Sequence, residues 1–176
     1  ITRIATQVPG NVLLYNIFQN AGRSWNTGAE AVWQQKVSTR LSLTSNVNIY
    51  RNRFEAFSVV NQYPVPTTYT SDEQQLTSGN VKLTASLRLP GNWETQVSAI
   101  WLAPDLLPQG RIGSRFSLDV GAKKSIQKGK GELFVNATDL LNTMQIHRTI
   151  RGTNFTLEST DYYETQVVRL GYNYKF

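Results

Sequence analysis

The last nine residues of the chain alternate strictly between large apolar side chains and polar or small ones. The apolar positions run to the final residue of the sequence: Val168, Leu170, Tyr172, Tyr174 and Phe176. Because successive side chains of a β-strand point to opposite faces, this segment predicts a strand with one wholly apolar face. A soluble protein rarely ends on a large aromatic residue in such a series. The segment therefore indicates a strand whose apolar face lies in a membrane.

The same period of two runs through most of the 176 residues. Apolar side chains occupy alternate positions over Val37–Ile49, Val81–Leu89 and Phe116–Ala122, and no helical stripe is sustained, so we predict an all-β chain. The mean hydropathy is -0.35, and no stretch approaches the roughly 18 apolar residues of a membrane helix. Low hydropathy is nevertheless typical of a transmembrane β-barrel, because only alternate side chains of each strand face lipid.

A soluble β-sandwich with one wet face also fits this alternation, but the four tryptophans favour a barrel. Trp25 and Trp33 lie eight residues apart on one apolar strand face, and Trp93 and Trp101 repeat this spacing on another. Eight residues span about 26 Å along a strand. After a tilt of about 40° this length is close to the apolar band between the aromatic girdles of a barrel. Since Trp prefers membrane interfaces, we predict that these four residues form the girdles.

The connections between strands are predicted to alternate between tight turns and long segments. Leu89–Asn92 and Gln127–Gly131 read as tight turns, whereas 52–78, 103–113 and 152–162 read as long loops. Outer-membrane barrels have this asymmetry, with short periplasmic turns and long outer loops. We predict about eight strands, near 1–8, 13–35, 37–51, 79–89, 93–102, 115–126, 131–158 and 163–176, with a bulge or short turn at 139–142.

Composition excludes several other classes of protein. The chain has no cysteine, so a disulfide-held secreted domain and Cys-ligated metal centres are excluded. The net charge is +6, which raises nucleic-acid binding as an alternative, but the basic residues are dispersed and carry no nucleic-acid motif. A basic lumen with solvated turns is the preferred interpretation. We expect residues 1–176 to be one β-barrel region without a plug domain or signal peptide, from a processed or longer protein.

The residues predict no catalytic site, metal site or cofactor. His147 is the only histidine, and nothing in the sequence brings a nucleophile or carboxylate beside it, so a histidine in the strand wall is preferred to an enzyme site. We expect Asp139 to cap the irregular segment that follows it. Four aromatic residues of the first long loop are a candidate ligand-contact platform, or else pack that loop against its neighbours: Phe54, Phe57, Tyr63 and Tyr69.

The inward face is predicted to carry charges of both signs. Its basic members are Arg40, Lys82, Arg88, Arg115, Lys123 and Arg169, and its acidic members are Glu30, Glu94, Asp119 and Glu132. A cross-strand network that holds the wall is the preferred interpretation. A surface for a plug domain, or for passage of an anionic solute, is the alternative.

The C-terminal segment resembles the signal that outer-membrane barrels present to the barrel-assembly machinery. That pattern is matched by Arg169, Gly171, Tyr174 and Phe176, with any residue at the positions between them. Upstream, Pro108–Gly113, Ser117–Gly121 and Leu133–Asn142 follow in an order that is similar to the last strands of TonB-dependent receptor-like barrels of the Bacteroidetes type. The segments 20–22 and 28–30 are similar to a descending strand of the same family.

This resemblance implies the closing part of an antiparallel barrel of about twenty-two strands in the bacterial outer membrane. It also implies a plug and a TonB-contacting box upstream. The expected function is binding and import of a large solute such as a glycan, siderophore, cobalamin or peptide, without bond chemistry. Expected partners are outer-membrane lipid, the assembly machinery, TonB and the plug, with no nucleic acid. The alternative is a self-contained eight-stranded barrel with a structural or adhesive role, in which a strand near Ile1–Thr6 pairs with Tyr163–Phe176.

Overall fold

The computed structural model describes residues 1–8, 10 and 12–176, and within them the chain is built from β-strands. In chain order these are β1 (Thr2–Gln7), β2 (Leu14–Gln19), β3 (Ser24–Lys36), β4 (Leu41–Phe54), β5 (Phe57–Asn61), β6 (Thr67–Ser71), β7 (Gln74–Leu89), β8 (Trp93–Leu102), β9 (Asp105–Leu107), β10 (Gly110–Ile112), β11 (Arg115–Ile126), β12 (Gly131–Thr138), β13 (Ile146–Arg151), β14 (Thr156–Asp161) and β15 (Val167–Tyr174). A 3-10 turn covers Gln127–Gly129. No helix in these ranges has the length and apolar character needed to cross a membrane.

Seven long strands form one antiparallel sheet, which we call the wall. Its order is β15-β12-β11-β8-β7-β4-β3, and each strand pairs with its neighbours over most of its length. The antiparallel all-β prediction is therefore confirmed. The wall does not close into a barrel: within the described residues, β3 and β15 each have a strand partner on one side only.

The register separates the wall into two chemically different faces. Side chains directly opposite each other in an antiparallel pair share a face, and Trp101 lies opposite Val81 and Phe116. This apolar face continues across the wall through residues that include Ile49, Leu83, Val97, Val135 and Leu170, all of them exposed. The opposite face carries the polar alternates. The predicted alternation is confirmed over 41–49, 81–89 and 116–122, whereas beyond Ile49 the same face of β4 carries Arg51 and Arg53, opposite Thr27 and Trp25.

The two ends of the wall also differ, as the sequence predicted. At one end, which we call the turn end, strands are joined by short turns at 37–40, 90–92 and 127–130. The hydroxyl of Ser38 accepts hydrogen bonds from the backbone of Arg40 and Leu41 and fixes the first of these turns. At the other end, the loop end, the connections are long and contain additional strands.

The additional strands form an assembly at the loop end, which we call the outer cap. It contains the hairpins β1-β2 and β5-β6 and a four-stranded sheet in the order β14-β13-β10-β9. The buried apolar side chains of the described chain lie here: Ile4, Ala5, Phe57 and Leu106. The protein's dry core is therefore among its loops, whereas the apolar face of the wall stays uncovered.

The described residues form fifteen strands rather than about eight: the predicted loops 52–78 and 103–113 contain β5, β6, β9 and β10, and three predicted strands are divided or displaced. Residues 1–8 contribute β1 to the cap, 13–35 divide into β2 and β3, and 131–158 divide into β12, β13 and β14. The first division lies at Gly22, whose φ of 58° leaves the extended region and brings it against Phe57. The predicted irregularity at 139–142 is a turn, with φ of 45° at Asp139 and 54° at Asn142. Alternation has the same period in a hairpin and in a wall strand, so it could not distinguish them.

Candidate lumenal surface and its comparison with known proteins

The polar face of the wall is concave and encloses a recess of about 1180 Å³ at the turn end. The residues that line it come from all seven wall strands and from the turn at 37–40. Its charged lining residues are Lys36, Arg40, Lys82, Arg88, Lys123 and Arg169 against Glu94, Asp119 and Glu132. Positive charge therefore predominates in the recess.

Three ion pairs join four strands across the floor of this recess. The guanidinium of Arg88 lies 3.7 Å from Glu94, and the ammonium of Lys123 lies 3.2 Å from Glu94 and 3.3 Å from Glu132. Arg88, Glu94 and Lys123 are direct cross-strand partners. All four side chains are partly exposed, so each pair contributes at most about 1 kcal/mol to stability. These pairs join four of the ten residues that the sequence predicted for a wall network.

One row of directly opposite residues beside these pairs crosses the entire wall without a large apolar side chain. It begins at Lys36 on β3 and ends at Arg169 on β15, and between them it holds Ser42, Ser86, Gln96, Gly121 and Asn136. Neither terminal cation forms an ion pair within the described residues. The row presents hydroxyl and amide groups between two free positive charges, which suits contact with a polar or anionic solute.

A second recess, of about 490 Å³, lies on the same face nearer the cap. It is lined by side chains that donate and accept hydrogen bonds: Asn26, Glu30, Asn48, Tyr50 and Asn80. Asp105 of β9 connects the cap to this region, because it accepts hydrogen bonds from Tyr50 (2.7 Å) and Asn52 (3.2 Å). The lumenal surface is therefore continuous from the turn end to the cap.

The four predicted girdle tryptophans lie on the apolar face, and each is 39–55% exposed. Trp25 and Trp101 are at the loop ends of β3 and β8, Trp93 begins β8 at the turn end, and Trp33 is nearer the turn end of β3. None is packed between two sheets. The indole N–H of Trp25 donates to the Glu55 carboxylate at 3.2 Å, which supplies the polar partner that an interfacial Trp needs.

The aromatic residues of the predicted ligand loop are distributed over different environments. Phe57 is buried, and its ring lies 5.9 Å from that of Tyr69. Burial raises the pKa of the Tyr69 hydroxyl above its ordinary value. Tyr63 is exposed and packs edge-on against Tyr15 at 5.8 Å, and Phe54 ends β4. The structure therefore does not bring the four together as one platform, and ligand contact by this loop stays a prediction.

The residues that match the assembly signal occupy both faces of β15. Tyr174 is on the apolar face, and the ring of Phe176, which follows the end of β15, lies 5.4 Å from that of Tyr174. Arg169 and Gly171 are on the lumenal face opposite Asn136 and Phe134. Recognition by the assembly machinery stays a prediction.

Asp139 makes more hydrogen bonds than the local cap that the sequence predicted. Its carboxylate accepts hydrogen bonds from the backbone of Thr143 (3.0 Å) and Met144 (3.1 Å), so it caps the turn as predicted. It also accepts a 2.6 Å bond from the hydroxyl of Thr165, just before β15. Burial alone would raise the pKa of Asp139, but these donors hold the pKa below its ordinary value.

The remaining candidate residue, His147, is in β13 of the cap rather than in the wall. Its Nδ1 lies 2.8 Å from the Thr160 hydroxyl on the neighbouring strand. Within the described residues, no group of three or more His, Asp or Glu side chains is arranged to hold a metal ion.

Comparison with known proteins agrees with this architecture. The family described as the outer membrane protein beta-barrel family matches residues 1–174. No curated protein and no solved structure matches the chain. A match over nearly the whole chain, together with an uncovered apolar face and a polar concave face, establishes its class: the chain belongs to the outer membrane protein β-barrel family and is a protein of the bacterial outer membrane.

Proposed function

We propose that the chain forms the closing portion of the wall, with its outer cap, of a TonB-dependent receptor that binds and imports a large solute. Support comes from the open seven-stranded wall and its continuous polar inner face. The proposed role is binding and passage without bond chemistry. TonB, a plug domain and the barrel-assembly machinery are its proposed partners.

The unpaired edges of the wall carry this proposal. Backbone N–H and C=O groups have no alternative partner in hydrocarbon, so lipid does not tolerate a free strand edge. We therefore propose that other strands pair with β3 and β15, so that the complete barrel is larger than this wall. The self-contained barrel needs β1 beside β15, but β1 pairs with β2 in the cap and its backbone is bound by Gln109.

The inner face supports a transport role in particular. Its polar row and two recesses offer hydroxyl, amide and cationic groups, which match glycans, siderophores, cobalamin and peptides better than apolar solutes. The cap adds connected polar structure at the loop end, where a solute from outside would first bind.

Barrel size can be tested with cysteines, because the chain has none of its own. A pair at Ala29→Cys on β3 and Leu170→Cys on β15 tests whether the two edges meet. Treatment of the folded protein in membranes with a short thiol crosslinker should leave these residues unlinked. As a positive control, Val97→Cys with Val120→Cys occupies directly opposite positions on β8 and β11 and should link. Efficient linking of 29 to 170 would contradict the large-barrel proposal.

Transport can be tested in cells that lack the gene. Uptake of labelled solutes too large for porins should fall in the deletion strain, and it should also fall when an uncoupler removes the proton-motive force from the parent strain. Uptake that depends on the gene but is insensitive to the uncoupler would contradict TonB coupling, and no effect of deletion on any solute would contradict transport.

A further inference from the structure

The positive charge of the protein is concentrated at the turn end. We define the turn end as the wall from the row of Lys36 to the short turns, together with the turns and the residues after β15. This region contains nine Lys and Arg residues and only two acidic residues, Glu94 and Glu132. The nine are Lys36, Arg40, Arg88, Lys123, Lys124, Lys128, Lys130, Arg169 and Lys175. The rest of the chain has nine basic and ten acidic residues. The net charge of +6 therefore comes entirely from the turn end.

Three of these lysines lie at the corner where β11 turns into β12, and we call them the basic corner: Lys124, Lys128 and Lys130. Lys124 lies on the apolar face, opposite Trp93 and Leu133. Its ammonium is 5.1 Å from the centroid of the Trp93 ring. Lys128 and Lys130 are exposed in and beside the adjoining 3-10 turn. Within the described residues, none of the three forms an ion pair.

An aromatic patch marks the membrane boundary at the same place. Tyr172 lies in the same row as Trp93, Lys124 and Leu133. Its hydroxyl donates to the amide oxygen of Gln127 at 2.7 Å, so its ring lies on the apolar face and its polar tip points to the turn. Aromatic side chains with an apolar ring and a polar tip are typical of the headgroup level of a membrane. The basic corner is therefore at the height where lipid phosphates lie.

We propose that the basic corner binds the phosphate headgroup of an anionic phospholipid in the periplasmic leaflet. Tight turns of outer-membrane barrels face the periplasm, so the ammonium groups meet that leaflet, and free lysines beside an anionic surface attract it. The aromatic rings of Trp93 and Tyr172 pack against the glycerol and upper acyl region. This inference rests on the barrel family and its orientation and is independent of the transport proposal.

Lipid preference at this corner can be measured with one tryptophan. The full-length protein, with Trp25, Trp33 and Trp101 replaced by Phe, keeps Trp93 as its reporter in this chain. It is placed in phosphatidylcholine vesicles that contain either brominated phosphatidylglycerol or brominated phosphatidylcholine, and quenching gives the relative affinity of the two lipids. We expect phosphatidylglycerol to be preferred, with a contribution of about fivefold per lysine.

The variant Lys124→Gln, Lys128→Gln, Lys130→Gln should abolish this preference. A matched variant, Arg23→Gln, Arg111→Gln, Arg151→Gln, removes the same charge from exposed positions at the loop end and should keep it. If the first variant does not fold, high salt applied to the parent protein provides the second measurement and should remove the preference.

The proposal would be overturned by equal quenching by the two brominated lipids, by equal loss of preference in both variants, or by a preference that salt does not reduce. Competition by millimolar inorganic phosphate would show that the corner is a general anion site, which would overturn its assignment to a lipid. Binding of an acidic soluble protein to the corner, with no lipid preference, would assign it to a protein partner instead.

Discussion

The ring of Phe134 on β12 lies directly over Gly171 on β15, its partner across the antiparallel ladder. A Cβ atom at position 171 would overlap that ring, so the glycine of the predicted assembly signal also has a packing role in the lumen. The Phe134 ring covers the backbone at Gly171, where β15 has no side chain of its own. On the same lumenal face, Lys123 lies opposite Phe134.

Substitution Gly171→Ala should destabilise the folded wall, because the added methyl group forces the Phe134 ring from its position. We expect a loss of about 1–3 kcal/mol, measured by guanidinium unfolding of the protein in detergent. The double variant Gly171→Ala, Phe134→Ala should lose less than the sum of the two single substitutions. Additive losses would show that the contact with the ring has no effect.

Asp139 should make stability depend on pH. Its pKa is lowered in the folded protein, so its contribution is complete above its unfolded pKa of about 3.9 and is lost as the pH falls through the lower folded value. Asp139→Asn should reduce stability at neutral pH by about 1–3 kcal/mol, because a donating NH2 group replaces one of the two oxygens that accept from Thr143, Met144 and Thr165.

The measurement is the unfolding midpoint of parent and variant over a series of pH values. The difference between the two should be largest at neutral pH and should shrink below about pH 4. Asp161→Asn, at a partly exposed residue paired with Arg148, is the control and should have a smaller effect. A constant difference between parent and Asp139→Asn over the whole series would contradict the prediction.

Gln109 should hold the first hairpin in the cap. Its amide accepts from the backbone N–H of Ala5 at 2.5 Å and donates to the carbonyl of the same residue at 3.0 Å. Gln109→Ala removes both bonds at a buried site and should release β1 and β2. Hydrogen exchange should accelerate in these strands and stay slow in β8 and β11. Gln166→Ala, at an exposed residue with one bond, should leave the hairpin protected.

The ion pairs of the wall are expected to contribute only modestly. Lys123→Met leaves Glu94 and Glu132 without their shared partner, and because these side chains are solvated, the loss should be about 0.5–1 kcal/mol. It should shrink at high salt. Lys82→Met, at a lumenal lysine without an ion pair in the described chain, is the matched control. An equal loss in both variants would assign the effect to the lysine stems rather than to the charges.

The wall could be predicted from the sequence because its strands and turns are marked by patterns of neighbouring residues. Alternation assigns each side chain to a face, and Val81 and Trp101 show this on neighbouring strands. Pro90 and Gly91 similarly mark a turn. The cap could not be predicted, because its contacts join distant residues: Gln109 and Ala5 are 104 positions apart. Nor does periodicity show that β1 packs on loops, since both environments require the same alternation.

The same limit applies to the candidate site. The charged residues of the lumen were predicted by parity along each strand, but the row from Lys36 to Arg169 depends on the register of six strand pairs. Asp139 was predicted as a local cap, whereas its bond to Thr165 reaches across 26 residues. Register and long-range hydrogen bonds come from tertiary packing, which one sequence does not display.

The buried apolar side chains around Ile4 and Leu106 have a consequence for how the protein responds to its surroundings. The cap excludes water with its own residues, as soluble proteins do, while the wall relies on lipid to cover its outer face. A change of detergent or acyl-chain length should therefore alter the wall first and leave the cap folded. The stability of the wall therefore depends on lipid, whereas the stability of the cap depends on its own buried residues.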